Sequence, residues 1–380
     1  MHLQIGAVIS AQRKTAKVTQ QELADFIGVS KASVSKWENG QSYPDVTLLP
    51  LLAAYFDISV DQLLTYNAQL TTTEIQRIYQ QLKAEFGQQD GAVLLKKIHD
   101  LVRQYYSCYP FVLQMGLLLV NHLDYLPGKD AAEKQRTYLT EARALFERVK
   151  NAAGDPELVV QARSYQAYCD LMLHQPEQVL AALGEFVPAT IPPESLIAGA
   201  FQQLGRNDEA LRTVQSALFQ YLTELMSLLT NSLLLLGDQP AKFAETYQRT
   251  WQLATAFSFP KIHPVVVLNF LLGACLGFAH QRQIALLSQA LTRFETVLRQ
   301  VVVPIKLQGD AYFDRIQPWL DQLEIGPQTP RNSNHLRRDL LRVLLGDPQM
   351  QALAKEPELA PQLQKLQTLL EVEQHDEPAE

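Results

Sequence analysis

Apolar residues recur at helical spacing in a short segment near the N-terminus, residues 20–40. They lie on both sides of Gly28 and form one set: Leu23, Ala24, Ile27, Val29, Val34 and Trp37. Gly28 falls where the chain must turn sharply, and glycine tolerates the positive φ that such a turn requires. Ser30 follows, and its side-chain oxygen can accept a hydrogen bond from an amide in the next helix's first turn. The pattern therefore predicts two short helices that cross at a steep angle.

The residues on both sides of this motif extend the helical pattern. Ile5, Val8, Ile9 and Gln12 follow helical spacing and predict a helix over residues 3–14. Thr19 is suited to cap the first helix of the motif.

Two more helices are predicted after Gly40. Thr47 is expected to cap the first of them, and Pro50 falls in its first turn, where a missing N–H is tolerated. The apolar positions of the two helices are Leu48, Leu49, Leu52, Ala53, Phe56, Val60, Leu63 and Leu64. Residues 1–66 are therefore expected to form a five-helix domain.

The run TQQELADFIGVSKASVSKWENGQSYPD, followed by LLAAYFDISVDQLL, resembles the Cro/C1-type (Xre family) DNA-binding domain of phage repressors. The resemblance covers residues 1–66 and implies that the third helix reads double-stranded DNA. It implies that Lys31, Ala32 and Lys36 face base edges. Ala32 could offer only a methyl contact to thymine.

Further residues of the motif are expected near the DNA backbone. The resemblance places four polar side chains closer to phosphates: Gln20, Ser33, Ser35 and Asn39. Ser30 is a further candidate DNA-binding residue. It also pairs Arg13 of the first helix with Glu38, as a partly buried ion pair that sets the recognition helix.

The charge distribution supports this interpretation. The whole chain has a formal net charge of −7, which alone argues against nucleic acid. Residues 1–40, however, carry five cations (Arg13, Lys14, Lys17, Lys31 and Lys36) against Glu22, Asp25 and Glu38. Phosphate attraction depends on charge within a Debye length and not on the distant total. The alternative is that these lysines are ordinary surface residues.

The remainder of the chain is predicted to be helical, so the fold class is all-α. With 47% hydrophobic residues, 380 residues are ample for a large core. Residues 73–86 illustrate the pattern, with one apolar face made of Ile75, Ile78, Tyr79, Leu82 and Phe86. We expect a linker at 67–73, a helical domain at 74–370 and a disordered acidic tail at 371–380.

Internal repetition predicts the architecture of the helical domain. Three windows, 172–183, 203–214 and 235–247, align at spacings of 31 and 32 residues. In each, a helix ends at His174, Gly205 or Gly237 and a polar turn starts another; a weaker copy ends at His280. Such periods resemble tetratricopeptide repeats and favour an α-solenoid. A generic helical bundle is the alternative.

The sequence contains no motif for catalysis, a cofactor or a metal. No His or Cys spacing suits zinc, and there is no phosphate-binding glycine loop. Gly273 and Gly277, inside an apolar helix, are expected to serve close packing. A cluster of arginines around Asp339 could bind an anion, but a solvated helix face is the simpler interpretation: Arg331, Arg337, Arg338 and Arg342.

A reduced, cytoplasmic protein without a signal peptide is expected. Three widely separated cysteines (Cys108, Cys169 and Cys275) fit free thiols. The apolar stretch 265–279 is interrupted by Asn269 and is too short to span a bilayer.

The combination of domains resembles Gram-positive regulators that respond to signalling peptides. That resemblance implies a homodimer on a palindromic operator, with a peptide held by the helical domain. Asn and Gln side chains can satisfy both the donors and the acceptors of an extended peptide. The candidate ligand residues are Tyr165, Gln202, Asn231 and Asn269.

Two other functions stay open. The helical domain could be a scaffold for a partner protein, with the DNA-binding domain only localising it. A phosphatase activity like that of some related arrays would need an acidic or Gln-based site, which the sequence does not reveal.

Overall fold

The computed structural model describes residues 4–64, 69–186, 192–331 and 333–375. Within these ranges, helices are the regular secondary structure, and the one β-bridge is the isolated pair Lys306 and Gln328. The all-α prediction is confirmed. Residues 67 and 68 of the predicted linker and 376–380 of the predicted tail lie outside the described ranges.

The N-terminal segment folds into five α-helices and one 3₁₀ turn. They are α1 (Ile5–Thr15), α2 (Gln20–Ile27), α3 (Lys31–Glu38), a 3₁₀ helix (Val46–Leu48), α4 (Leu49–Tyr55) and α5 (Val60–Leu63). Their apolar faces form a single core, with Ile9, Leu23, Val34, Leu52 and Leu63 completely buried. The predicted five-helix arrangement is confirmed, with the first helix beginning at Ile5 and ending at Thr15.

The turn and capping residues decide where these helices begin and end. Thr19 forms a capping box with Glu22, Gly28 adopts a φ of +79°, and the Ser30 hydroxyl accepts a hydrogen bond from the Ser33 amide. The predicted Thr47 cap is wrong. Asp45 is the capping residue, and it accepts bonds from both the amide and the hydroxyl of Thr47. A 3₁₀ turn therefore precedes α4 and moves its start to Leu49.

Sixteen further α-helices and two 3₁₀ turns follow in the described residues. The first are α6 (Thr72–Glu85), α7 (Gly91–Gln104), α8 (Tyr109–His122), a 3₁₀ helix (Leu123–Tyr125), α9 (Ala131–Ala152), α10 (Pro156–Met172), α11 (Pro176–Leu183), α12 (Pro193–Gln203), α13 (Asn207–Leu235) and α14 (Pro240–Ala256). The remainder are α15 (Phe259–Ile262), α16 (Pro264–His280), α17 (Ile284–Gln300), α18 (Gln317–Gln322), a 3₁₀ helix (Ser333–His335), α19 (Leu336–Gly346), α20 (Pro348–Ala352) and α21 (Ala360–His375). The first five residues of the predicted tail, 371–375, are therefore helical.

The chain divides into two compact units. Unit 1 contains Met1–Ile75 and Gln89–Leu183, and unit 2 contains Gln76–Gln88 and Gly184–Glu380. The predicted turns between helices are present: His174 and Gly205 have positive φ between helices, and α13 and α14 flank Gly237. Helix lengths vary from 4 to 29 residues in unit 2, which makes any repeat irregular.

Helix α6 is fastened to the segment 321–330 of unit 2 by its polar side chains. Gln76 Nε2 donates to the carbonyl oxygens of Asp321 (3.2 Å) and Leu323 (2.5 Å), and Gln80 Nε2 donates to that of Ile325 (3.1 Å). Gln76 and Gln80 recur at helical spacing with Tyr79 and Lys83, whose contacts follow below. All four side chains therefore lie on one face of α6.

The second half of this contact contains a buried amine. The Tyr79 hydroxyl donates to the Pro330 carbonyl oxygen (3.0 Å), and Lys83 Nζ donates to the Thr329 carbonyl oxygen (2.9 Å) and Gln328 Oε1 (3.1 Å). Burial lowers the pKa of Lys83 to about 8. We call this set of contacts the α6 clasp.

The predicted solvated arginine face is wrong in part. Arg338 is only 7% exposed, and Asp339 lies 3.0 Å from the Arg331 guanidinium and 3.7 Å from that of Arg338. Asp339 thus offsets two of the charges, and the cluster is partly a buried ion-pair network.

Helix α16 is largely apolar because most of it lies in the core of unit 2. Ten of its residues are buried, among them Phe270, Ala274 and Phe278. A Cβ at Gly277 would lie 2.1 Å from Cζ of the buried Phe243, whereas one at Gly273 would meet only Thr230 Cγ2 at 3.9 Å. Close packing is confirmed for Gly277. Within the described residues, no helix combines the length and apolar character needed to cross a membrane.

Gly277→Ala and Gly273→Ala form a matched pair on α16. We expect Gly277→Ala to lower the free energy of unfolding by about 1–3 kcal/mol, because the Phe243 ring must move in a packed core. Gly273→Ala should be neutral or stabilising by roughly 0.5–1 kcal/mol, because alanine favours the helix. Denaturant unfolding followed by far-UV circular dichroism measures both. Equal effects of the two substitutions would contradict the packing argument.

Candidate nucleic-acid interface

Helix α3 is held by its inner face and by the close approach of α1. Val34 and Trp37 are buried in the domain core at 0% and 5% exposure. A Cβ at Gly6 would lie 1.9 Å from the Trp37 carbonyl oxygen. Only glycine therefore lets α1 cross the end of α3 at this distance, and the outer face of α3 is left to solvent.

The carboxylate of Glu38 joins three helices at the end of α3. Arg13 of α1 donates from Nε to Oε1 (2.6 Å) and from Nη2 to Oε2 (3.0 Å), and Gln20 of α2 donates from Nε2 to Oε2 (2.8 Å). Arg13 Nη1 also donates to the Val18 carbonyl oxygen (2.8 Å) in the loop between α1 and α2. We call this arrangement the Glu38 hub. Bidentate arginine–carboxylate pairs fix orientation as well as distance.

The hub keeps Glu38 ionised although its side chain is only 7% exposed. Burial alone would raise the pKa of Glu38, but hydrogen bonds from Arg13 and Gln20 and the positive charges of Arg13 and Lys14 outweigh it. The net result is a pKa below the ordinary value. The predicted Arg13–Glu38 pair is therefore present and partly buried.

The outer face of α3 carries exposed cations. Lys31, Ala32, Lys36 and Asn39 are all exposed. Among the described residues, neither Lys31 nor Lys36 has a carboxylate within ion-pair distance. Because the one acidic side chain of α3, Glu38, is turned into the hub, this face presents positive charge only.

The other predicted DNA-contact residues have partners within the domain. The hydroxyls of Ser30 and Ser33 lie 2.9 Å apart, and Asn39 Nδ2 donates to Ser35 Oγ (3.4 Å). The amide nitrogen of Gln20 is engaged by Glu38. These side chains therefore offer their remaining donor and acceptor capacity to an outside ligand.

The four candidate ligand residues occupy separate helices of both units. Tyr165 lies on α10 in unit 1, where its ring centroid is 5.5 Å from that of Phe146. Gln202, Asn231 and Asn269 are exposed on α12, α13 and α16 of unit 2. No group of metal-ligating side chains that could hold an ion occurs among the described residues.

Comparison with known proteins matches the N-terminal domain. Residues 9–63 match the Helix-turn-helix family model. The N-terminal domain is thus a helix-turn-helix domain of the type found in transcriptional regulators.

Three curated relatives are similar to part of the chain. The HTH-type transcriptional activator BcrR of Enterococcus faecalis is 36% identical over 64 residues, 17% of this chain and 31% of its own length. Antitoxin PezA of Streptococcus pneumoniae is 32% identical over 95 residues, 25% of this chain and 59% of its own. The Cryptic phage CTXphi transcriptional repressor RstR of Vibrio cholerae is 36% identical over 61 residues, 16% of this chain and 54% of its own. The chain thus spans between 31% and 59% of the length of these relatives.

Sequence reasoning missed two parts of this site. Gly6 has no local turn or cap to mark it, and only the α1–α3 crossing explains it. Gln20 was assigned to phosphate, yet its amide completes the Glu38 hub. The role of Gln20 does have a signal in the sequence. Gln20 is a polar residue at the first position of α2, next to the Arg13–Glu38 pair that the resemblance implies.

Glu38→Gln tests the hub. We expect the opening free energy of α3 to fall by about 1–3 kcal/mol at neutral pH, because the charge-assisted bonds to Arg13 are lost. The pKa of Glu38 is lowered in the folded protein, so its contribution is complete above the unfolded value and is lost as pH falls through the folded value. The difference between wild type and variant should therefore shrink in acid.

Hydrogen exchange of the α3 amides, corrected for intrinsic exchange rates, measures the opening free energy of α3 at neutral pH and at acid pH. Asp61→Asn is the control, because Asp61 is an exposed acid on α5 of the same domain. A difference that stays constant down to acid pH would contradict the role of the Glu38 charge.

Proposed function

We propose that this protein is a sequence-specific DNA-binding transcription regulator that places α3 in the major groove of double-stranded DNA. The observation that carries the proposal is the pair of exposed, unpaired lysines on a helix braced from behind by Glu38. A braced helix fixes the backbone positions from which both lysines reach the DNA. Two of the matched relatives are named as a transcriptional activator and a transcriptional repressor, which supports transcription control without choosing its direction.

Each candidate residue receives a role from its position. Lys31 and Lys36 contact base edges, where a lysine can donate to guanine O6 and N7, and Ala32 contacts a thymine methyl. Backbone phosphates are bound by the polar side chains that flank them: Gln20, Ser30, Ser33, Ser35 and Asn39. The exposed Lys14 and Lys17 strengthen attraction to the DNA at the same end of the domain.

The protein binds a palindromic operator as a homodimer in this proposal. Paired recognition helices reach successive major grooves when they are about 34 Å apart. A two-fold DNA site then mirrors the two-fold symmetry of the protein.

Control by a short peptide or other ligand in a tetratricopeptide-like helical domain completes the proposal. Its candidate contacts are Tyr165, Gln202, Asn231 and Asn269. A ligand regulates only if it binds the DNA-competent and the incompetent arrangements with different affinity.

A DNA-tethered scaffold for a partner protein is the second candidate. It is favoured by two exposed leucines on the short helix α11, Leu180 and Leu183, which are 50% and 48% exposed. A peptide that raises the thermal unfolding temperature supports ligand control, whereas co-purification of one folded partner, lost on Leu180→Glu, supports the scaffold.

Lys31→Ala and Lys36→Ala test the DNA-binding proposal. A pool of random duplexes selected with the full-length protein first supplies the operator. We expect each substitution to weaken operator binding by about 1–3 kcal/mol, or roughly 5- to 150-fold, because each removes a contact to the bases. Fluorescence anisotropy of a labelled operator measures the affinity at several salt concentrations.

Lys242→Ala provides the control for loss of one positive charge. Lys242 is exposed on α14 of unit 2, outside the helix-turn-helix domain. Its substitution should leave operator affinity unchanged. Unchanged affinity in the Lys31 and Lys36 variants, with the fold intact, would refute the assignment of α3 as the recognition helix.

A further inference from the structure

Unit 2 contains an open groove between α12, α13 and α18, with a volume of about 300 Å³. Its walls carry aliphatic and aromatic surface together with a few charged and amide groups. The residues that matter here are Glu194, Ile197, Arg212, Ser216, Gln220 and Trp319. We call it the Trp319 groove. A pocket of this size and composition is at the small end of ligand sites.

Ser216 is a buried donor without a partner. Ser216 is one of the residues that line the groove, it is only 7% exposed, and its buried hydroxyl has no hydrogen-bond partner among the described residues. Leaving a buried hydroxyl unsatisfied costs about 1–3 kcal/mol. An acceptor atom held in the groove would remove that cost.

Arg212 supplies an unpaired cation one turn before Ser216. No described carboxylate lies within ion-pair distance of its guanidinium. The nearest acid along the helix, Glu209, is already bonded to Arg206 at 3.0 Å. The groove's own acid, Glu194, accepts a hydrogen bond from the Tyr221 hydroxyl (2.9 Å). Glu194 keeps its negative charge in this bond, and Arg212 is the cation among the described lining residues, so Arg212 is the group that can pair with an anionic ligand.

The opposite wall is aromatic and rigidly placed. The Trp319 ring lies edge-on to the buried Phe219, with centroids 6.2 Å apart. The segment that leads into α18 is fixed by Gln215 of α13, which donates to the Tyr312 carbonyl oxygen (2.8 Å) and Asp314 Oδ1 (2.9 Å) and accepts from the Arg315 amide (2.9 Å). The apolar wall thus stands at a set distance from Arg212 and Ser216.

We infer that the Trp319 groove binds a small carboxylate attached to an aromatic or branched apolar group. The carboxylate pairs with Arg212 and accepts the Ser216 hydroxyl proton in a hydrogen bond, and the apolar group packs on Trp319 and Ile197. The inference deepens the proposed function by naming the chemistry of its ligand, and in that respect it rests on that proposal. Its residues are different from the four ligand candidates chosen from the sequence.

Two sources supply this chemistry, a free aromatic or branched acid and the C-terminal residue of a peptide. N-acetyl-L-phenylalanine represents the first and Gly-Gly-Gly-Gly-Phe with a free carboxylate the second. Both satisfy the same contacts. Tighter binding of the peptide identifies a peptide terminus as the ligand, and tighter binding of the acetylated amino acid identifies a free acid.

Isothermal titration calorimetry of the full-length protein without DNA tests the site. We expect saturable binding of at least one probe and loss of that binding for its C-terminal amide. Arg212→Gln should weaken it by about tenfold or more, because a charged hydrogen bond is removed. Arg342→Gln is the matched control, an exposed arginine on α19 outside the groove, and should leave affinity unchanged.

Ser216→Ala gives a second, uncharged readout. It removes the hydroxyl that has no partner and adds no volume, so it should stabilise the free protein and weaken probe binding together. Absence of saturable binding for both probes, equal affinity for acid and amide, or no effect of Arg212→Gln would each overturn the inference. Since no DNA is present, these outcomes are independent of whether Lys31 and Lys36 bind an operator.

Discussion

The position of the recognition helix depends on one partly buried carboxylate, that of Glu38. Taking it out of water is unfavourable, and two bonds from Arg13, one from Gln20 and the positive charges of Arg13 and Lys14 offset the loss. Because those donors belong to α1 and α2, satisfying the charge fixes the relative position of three helices at once. The same arrangement removes the negative charge of α3 from its outer face, so bracing and electrostatic polarity have a single cause.

Much of this domain could be predicted because its determinants are local. Gly28 and the caps at Thr19 and Ser30 act within one helical turn, so their spacing in the sequence is their spacing in space. The Arg13–Glu38 pair came from the family resemblance and not from spacing. The capping residue of the next helix was harder to predict, because the side chains of Asp45 and Thr47 can both accept a bond from a helix amide. In the structure a 3₁₀ turn comes first, and Asp45 caps it.

The rest of the molecule escaped prediction for a different reason. All but one of the acceptors in the α6 clasp are main-chain carbonyls, which every residue has, so no sequence pattern marks the acceptor segment. Arg338 could not be distinguished from its exposed neighbours without knowing which face of α19 is buried. The Trp319 groove combines side chains from three helices whose packing was unknown. Helical periodicity identified the elements but not their partners.

The α6 clasp also sets an order of events during synthesis. Gln76 precedes its partner Asp321 by 245 residues, and Tyr79 precedes Pro330 by 251. At translation rates of about 5–20 residues per second, α6 waits roughly 12–50 s before its acceptors exist. Residues 89–183 emerge in that interval, so unit 1 has its whole chain before unit 2 can close. A nascent chain therefore carries a complete helix-turn-helix domain before the segment that buries Lys83 has been synthesised.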